Sequence, residues 1–198
     1  MAARSSSTMF LAKGAEATVE LIDGMVIKNR IPKSYRLKAL DQIIRKQRTK
    51  MEARIISESR RRGVPTPIIF DIENCKITME YINGPKIKDI LTPGLSNNIG
   101  TVVGRLHFEG IIHGDLTTSN MILYDDRIYM IDFGLAFFER SVEARGVDVH
   151  VLFRTFESTH DEYEILIENF KKGYRGIFPD AEAVLKRVEE IKGRGRYA

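Results

Sequence analysis

Apolar and polar positions alternate in short runs along the first third of the chain and then adopt helical periods. Residues 9–21 read as a short apolar run, a Lys13-Gly14-Ala15-Glu16-Ala17 break and an alternating run. Asp23-Gly24 supplies a hairpin turn, and residues 25–28 form a third strand. Over residues 41–62 the period changes. Ile44, Met51 and Ile55 fall on one face of a long helix, which ends in Arg60-Arg61-Arg62-Gly63, cations and a glycine stop at the negative end of the dipole. Val64-Pro65-Thr66-Pro67 excludes helix and leads into strands over residues 68–71 and 76–81, with a turn at Asn74. Ile82-Asn83-Gly84-Pro85 is a breaker cluster. Beyond it, Ser96 caps a helix carrying Ile99, Val102, Val103 and Leu106, whose core stripe continues through Phe108 to Ile111, another helix runs from Val147 to about Phe156, and two further stripes follow, through Tyr163 to Tyr174 and Val184 to Ile191. These stripes read as core. The expected architecture is α+β and bilobal. A strand-rich lobe with a five-stranded sheet and a long basic helix covers residues 1–82, a reduced, mostly helical lobe covers 83–191, and a mobile basic tail covers 192–198.

Residues 113–133, HGDLTTSNMILYDDRIYMIDF, carry the chemistry. Two β-forming runs joined by Tyr-Asp-Asp-Arg make a hairpin, and a hairpin brings its outer ends together. Asn120 and Asp132 stand at those ends and can share one metal ion, while Asp115 stays on the loop before them. Hard oxygen ligands hold Mg²⁺ on a nucleotide, and a separate carboxylate orients the attacking hydroxyl or water. The spacing is similar to the protein-kinase catalytic loop, H-x-D-x-x-x-x-N, followed by D-F-G. In that scheme Lys28, on the third strand, serves the α- and β-phosphates of ATP. Glu52 pairs with it, with Glu58 as competitor. Lys13 to Ala17, reduced to the single Gly14, covers the phosphates, and Glu80, Tyr81 and Ile82 form the hinge that meets adenine. The segment after Gly134 is short and lacks A-P-E, and no arginine precedes Asp115 to clamp an activation-loop phosphate. His107 and His113 read as structural.

Composition adjusts this picture in three places. With 198 residues, 43% of them hydrophobic, the chain is long enough for one sizeable core or two small lobes. Cys75 is the lone cysteine, which excludes a disulfide framework and a cysteine zinc site and fits a reducing compartment. Residues 1–8 have no apolar signal core and read as a short disordered start. No run approaches a membrane span, and a cytoplasmic protein is expected. The net charge of +4 is uneven. Twelve Lys or Arg and three acids lie within residues 30–62, a local +9, which is a footprint for a polyanion.

Over nearly its whole length the chain resembles the small atypical kinase subunit of the KEOPS complex, the PRPK family. The resemblance rests on KGAEA at 13–17, VIKNRIPKSYR at 26–36, RTKMEARIISESRRRGVPTP at 48–67, MEYINGPKIKD at 79–89, LHFEGIIHGDLTTSNMIL at 106–123 and IDFGLAF at 131–137. It implies a kinase-like fold, Mg-ATP binding, ATP hydrolysis in support of threonylcarbamoyladenosine formation on tRNA, and serine/threonine autophosphorylation. It assigns catalysis to Asp115, Mg²⁺ to Asn120 and Asp132, and a propping role under the catalytic loop to Asp148. The implied partners are the threonylcarbamoyl-transfer subunit, the small KEOPS subunit that docks on the N-lobe, and tRNA, reached through the basic stretch 30–62 and through Arg194 and Arg196 of the tail. His150 and Phe153 depart from the family pattern. Two other function classes fit part of the pattern: a small-molecule phosphotransferase of the aminoglycoside or choline type, and a non-catalytic tRNA-binding scaffold. RIO-type kinases stand close by, but their N-terminal helical extension sets them apart from a chain that starts at its first strand.

Overall fold

In the computed structural model, which describes residues 8–194, the strand pattern folds into one antiparallel sheet. Strands β1 (Thr8–Lys13), β2 (Ala17–Ile22), β3 (Met25–Arg30), β4 (Ile69–Glu73) and β5 (Lys76–Glu80) are ordered β1-β2-β3-β5-β4. Lys28 lies between Val19 of β2 and Ile77 of β5, so its strand is central and its backbone is fixed from both sides. Helix α1 (Lys38–Arg61) packs on this sheet. It begins three residues before the expected Asp41, which is buried and accepts from the Lys33 amide at 3.3 Å and from Arg45 at 2.7 Å. The stripe expected on α1 is corrected as well. Met51 is exposed, and the inward face instead carries Thr49, Glu52, Ala53, Ile55, Ile56 and Ser59. A face turned toward a polar cleft need not be apolar throughout, which hides it from a hydrophobic-period search.

The helical lobe begins with α2 (Ile87–Ile90) and α3 (Pro93–Phe108). Thr92, and not Ser96, caps α3. Its hydroxyl accepts from the Leu95 amide at 3.2 Å, and Pro93 occupies a first-turn position that needs no donor. Ser96 lies inside the helix, where its hydroxyl donates to the Leu166 carbonyl at 2.6 Å, and Phe108, expected in the core stripe, is instead exposed at the end of the helix. Strand β6 (Ile111–Ile112), a single 3₁₀ turn (Thr118–Asn120), and strands β7 (Met121–Tyr124), β8 (Arg127–Met130) and β9 (Phe137–Phe138) carry the site loops. Helices α4 (Val142–Thr159), α5 (Tyr163–Arg175) and α6 (Ala181–Arg194) follow. Helix α4 starts at its Ser141 cap, ahead of the expected Val147. Gly146 lies inside this helix, and its lack of a side chain lets α6 come close: a Cβ there would lie 2.8 Å from Arg187 Cγ. Helix α6 also runs through Lys192 and Gly193 into the stretch expected as tail, and Arg196 lies outside the described residues.

One apolar cluster fills the helical lobe, with Ile99, Leu106, Phe133, Phe156, Phe170, Tyr174 and Val184 within it, and it extends to Ile55 and Ile56 of α1. A smaller cluster of Ala53, Ile77 and Met79 lies under the sheet. Between sheet and helices, Gly84 lets the connecting strand touch β7, since a Cβ there would lie 2.0 Å from the Leu123 carbonyl oxygen. No described helix is long and apolar enough to cross a membrane.

Candidate active site

The β7–β8 hairpin forms as expected. Asp125 and Asp126, both at positive φ (50° and 54°), make a two-residue turn whose twist matches its strands. The Ile131 amide donates to the Asn120 carbonyl at 2.9 Å, which ties the outer ends together. Asn120 Nδ2 donates to the Asp115 backbone oxygen at 3.0 Å and to its carboxylate at 2.9 Å. That leaves Asn120 Oδ1 with no hydrogen bond among the described residues, beside Asp132 on the same cleft wall.

Lys28 is buried, and its ammonium donates to Glu52 Oε1 and to Asp132 Oδ1, each at 2.6 Å. Burial alone would lower its pKa, but the two carboxylates override that and hold it above the ordinary lysine value. Burial pushes the Asp132 carboxyl upward, and Lys28 more than reverses this, so Asp132 stays ionised below the usual carboxylate range. Glu52 is the partner of Lys28. Its competitor Glu58 pairs instead with Arg61 at 2.9 Å.

Beneath these groups the loop is held by a chain of buried polar contacts. Asp148 on α4 accepts from the His113 amide at 2.8 Å and the Gly114 amide at 2.9 Å. His107 Nε2 lies 3.2 Å from Asp148, and its Nδ1 lies 2.8 Å from the Tyr174 hydroxyl on α5. With the His107 Nε2–H donated to the Asp148 carboxylate, Nδ1 accepts from the Tyr174 hydroxyl, whose pKa burial raises. Burial also works against the Asp148 carboxylate, but the His107 bond and its neighbours hold its pKa low. His113 packs against Phe133 with ring centroids 4.8 Å apart.

Two adjoining cavities share Lys28 and Asp132. The inner one, about 340 Å³, is lined by Val26, Ile56, Met79 and Ile122 and by the expected hinge residues Glu80, Tyr81 and Ile82. The outer one, about 280 Å³, is lined by Gly14, Ala15, Glu16, Ala17 and Asp115. Lys13 closes β1 at the mouth of that loop. Apart from Lys13, the expected site residues therefore line one cleft. Three features escaped the sequence pattern. Arg30 is buried and donates to Glu52 at 2.5 Å. Glu16 bridges toward Arg48 at 2.8 Å. Tyr174, expected only as core, ends a polar chain that reaches the catalytic loop. Strand alternation was the available signal for Arg30, two positions after Lys28 on the same face.

The basic stretch is thinner than its composition implies. Arg36 and Arg45 pair with Asp41, Arg48 with Glu16, Arg61 with Glu58 and Arg62 with Glu109, while Arg30 faces inward.

The RIO domain model matches residues 27–168. The chain is 57% identical over 193 residues to a Methanosarcina mazei protein named "Probable bifunctional tRNA threonylcarbamoyladenosine biosynthesis protein", covering 95% of this chain and 35% of that one. It thus spans about a third of the length of the first curated relatives it matches. A "Probable serine/threonine-protein kinase BUD32 homolog" of Archaeoglobus fulgidus is 48% identical, with 93% of this chain and 94% of that one covered. The Pyrococcus abyssi "KEOPS complex subunit Bud32" is 39% identical, with 98% and 93% covered. Among solved structures, the Rio2 kinase ADP/Mg²⁺-phosphoaspartate complex of Chaetomium thermophilum superposes with a TM-score of 0.65 at 16% identity, covering 98% of this chain and 72% of that one. The separation from RIO-type kinases drawn from the sequence therefore falls away, since the RIO model begins within β3 and runs through the catalytic loop into α5. The chain belongs to the RIO-domain family and, within it, to the group of proteins named Bud32.

Proposed function

We propose that this chain is the Mg-ATP-dependent module of a KEOPS tRNA-modifying assembly. It hydrolyses ATP in support of threonylcarbamoyladenosine formation and can phosphorylate serine or threonine with the same residues. The observation that carries the reading is the convergence of Glu52, Lys28 and Asp132 in one hydrogen-bonded line, with Asp115 and Asn120 joined to each other on the same cleft. In this reading adenine occupies the inner cavity against the backbone of Glu80, Tyr81 and Ile82. Lys28, fixed by Glu52, takes the α- and β-phosphates, and the loop from Lys13 to Ala17 covers the phosphates. Asp115 orients the attacking oxygen and accepts its proton.

Asn120 Oδ1 and the Asp132 carboxylate would hold Mg²⁺. Two hard oxygens facing a cleft suit an ion that keeps waters and phosphate oxygens in its remaining positions. Among the described residues there is no cluster of three His, Cys, Asp or Glu side chains that would cage a metal without the nucleotide. Bound Mg²⁺ supplies neutralisation of the charge that builds on the phosphate oxygens.

Water is favoured over a peptide as acceptor. Between Gly134 and α4 the chain turns straight back, with β9 pairing to β6, and α4 to α6 pack into the core. Among the described residues the segment from Gly134 to α4 is too short for a long activation segment, and α4 to α6 are given to the core rather than to a substrate region of the kind a small-molecule phosphotransferase uses. The assembly partners in this reading are the threonylcarbamoyl-transfer subunit, a small subunit on the N-lobe, and tRNA, met by the solvated cations of α1 and by the C-terminal tail, in the cytoplasm. The test is phosphate release from Mg-ATP by wild type and Asp115→Ala, with and without the transferase subunit and tRNA. Stimulation by both, lost in the variant, is expected. ATP consumption that tracks phosphate gained by a protein would replace hydrolysis with kinase action, and no consumption under any condition would overturn the reading.

A further inference from the structure

Arg30 is a buried charge in the cleft that these roles leave unused. It follows Lys28 by two positions on β3, so both side chains leave the same face of the sheet. Its side chain is 4% exposed. A guanidinium carries five N–H donors. Among the described residues one is used, from Nη2 to Glu52 Oε2 at 2.5 Å. Nη1 stands 3.6 Å from Glu16 Oε2, beyond hydrogen-bond distance, and Nε is buried with no partner. Glu52 does not neutralise Arg30 alone, because its other oxygen is bonded to Lys28. Idle donors on a buried cation are costly unless an anion completes them.

The position of Arg30 says where that anion sits. Arg30 lines the outer cavity with Asp115, while Lys28 and Asp132 form the wall shared with the inner one. A nucleotide with its base in the inner cavity and its α- and β-phosphates at Lys28 delivers the terminal phosphoryl group into the outer cavity. Gly134 marks the place: a Cβ there would lie 3.1 Å from Asp132 Oδ1, 3.4 Å from Lys28 Nζ and 3.5 Å from Arg30 Nη2. Two cations and a carboxylate thus face one small space in the outer cavity.

We infer that Arg30 is a second phosphate cation, which takes the terminal phosphoryl oxygens of ATP and releases Glu16 as it does so. The inference rests on reading the cleft as an ATP site. Glu16 is the internal stand-in for that phosphate, held between Arg30 at 3.6 Å and Arg48 at 2.8 Å. A triphosphate competes with it, and a diphosphate that ends at Lys28 does not.

The test is calorimetric titration of the intact chain, in Mg²⁺, with ADP and with the non-hydrolysable β,γ-imido analogue of ATP. Arg30→Met and Arg30→Lys should weaken the triphosphate analogue by roughly tenfold or more and ADP by no more than about twofold, as loss of a charge-assisted fork implies. Glu16→Gln should tighten the triphosphate analogue several-fold and leave ADP unchanged. Equal losses for both nucleotides in the Arg30 variants, or none, would overturn the inference while leaving the ATP reading intact, since Arg30 would then serve only to hold Glu52. A wild type that binds neither nucleotide would overturn both. Should Arg30→Met fail to fold, the same comparison on Arg30→Lys and Glu16→Gln decides, and an unchanged triphosphate affinity in Glu16→Gln counts against the inference.

Discussion

Lys28 and Asp132 meet at 2.6 Å across the cleft although 104 positions separate them in the chain. The sheet supplies one and the hairpin end the other, so the contact joins the two lobes at the point where phosphate and Mg²⁺ are proposed to bind. The two groups satisfy each other, and they are the same groups proposed to meet phosphate and metal.

Removing the carboxylate therefore separates nucleotide binding from turnover. In Asp132→Asn, phosphate release is expected to fall by about 10²-fold or more, as when an electrostatic group acting on the transition state is lost. Nucleotide affinity in EDTA should hold or rise, because Lys28 no longer has to leave Asp132. Chelating Mg²⁺ from the wild type should lower phosphate release to a comparable degree, read in the same assay.

Glu52 serves two buried cations, so its loss should show in stability as well as in activity. Glu52→Gln leaves Lys28 and Arg30 short of a counter-charge in a buried setting, with an expected loss of ~3–5 kcal/mol in urea unfolding. Glu58→Gln, which removes only a solvated pair with Arg61, should cost ~1 kcal/mol or less. Equal effects of the two changes would contradict the assignment of Glu52 as the interior carboxylate.

Asp148 uses both oxygens on the catalytic loop. An asparagine offers one oxygen and turns its NH₂ toward a backbone N–H, so Asp148→Asn should cost ~1–3 kcal/mol. Because the displaced loop carries Asp115, phosphate release should drop on the order of 10²-fold while the far-ultraviolet circular dichroism stays that of the folded chain.

His113 gives the protein an acid-side weakness. Its Nδ1 accepts from the Asp115 amide at 3.3 Å and its Nε2–H donates to the Ile131 carbonyl at 3.1 Å, an arrangement that requires the neutral ring. Burial lowers its pKa below 6.5, with nearby carboxylates opposing only in part. The unfolded chain therefore binds a proton that the folded chain refuses. Stability is fully present above pH 6.5 and declines as the pH falls from there toward the folded-state pKa. Urea midpoints measured between about pH 5 and pH 7 should show this slope in the wild type and lose it in His113→Gln.

The five strands of the sheet, the β7–β8 hairpin and the meeting of Lys28, Asp115, Asn120 and Asp132 on one cleft were legible in the sequence because each has a local signature, whereas β6 and β9 were not and Glu52 was separated from Glu58 only by the structure. Asp23-Gly24 and Asp125-Asp126 announce turns, and the spacing from Asp115 through Asn120 to Asp132 encodes loop and hairpin lengths. What escaped was set by tertiary packing. Met51 and Ile55 lie on the period of a buried stripe, yet only Ile55 is buried, because the cleft requires Glu52 and Thr49 on the inner face. Helix α4 begins before Gly146 and runs through it, and the glycine there makes room for Arg187 of α6, a neighbour that local sequence does not show. Tyr174 and Asp148 join through His107, and nothing in their separate patterns links three helices into one hydrogen-bonded line.

Asp132 adopts φ of 60°, a left-handed conformation that asparagine, aspartate and glycine tolerate best. Its amide turn and its proposed chemistry thus ask for the same residue for unrelated reasons. Glycine and asparagine would keep the turn and lose the charge. Glutamate would keep the charge but sit poorly in the turn. Backbone geometry and the proposed metal role thus select the same side chain at Asp132, each independently of the other.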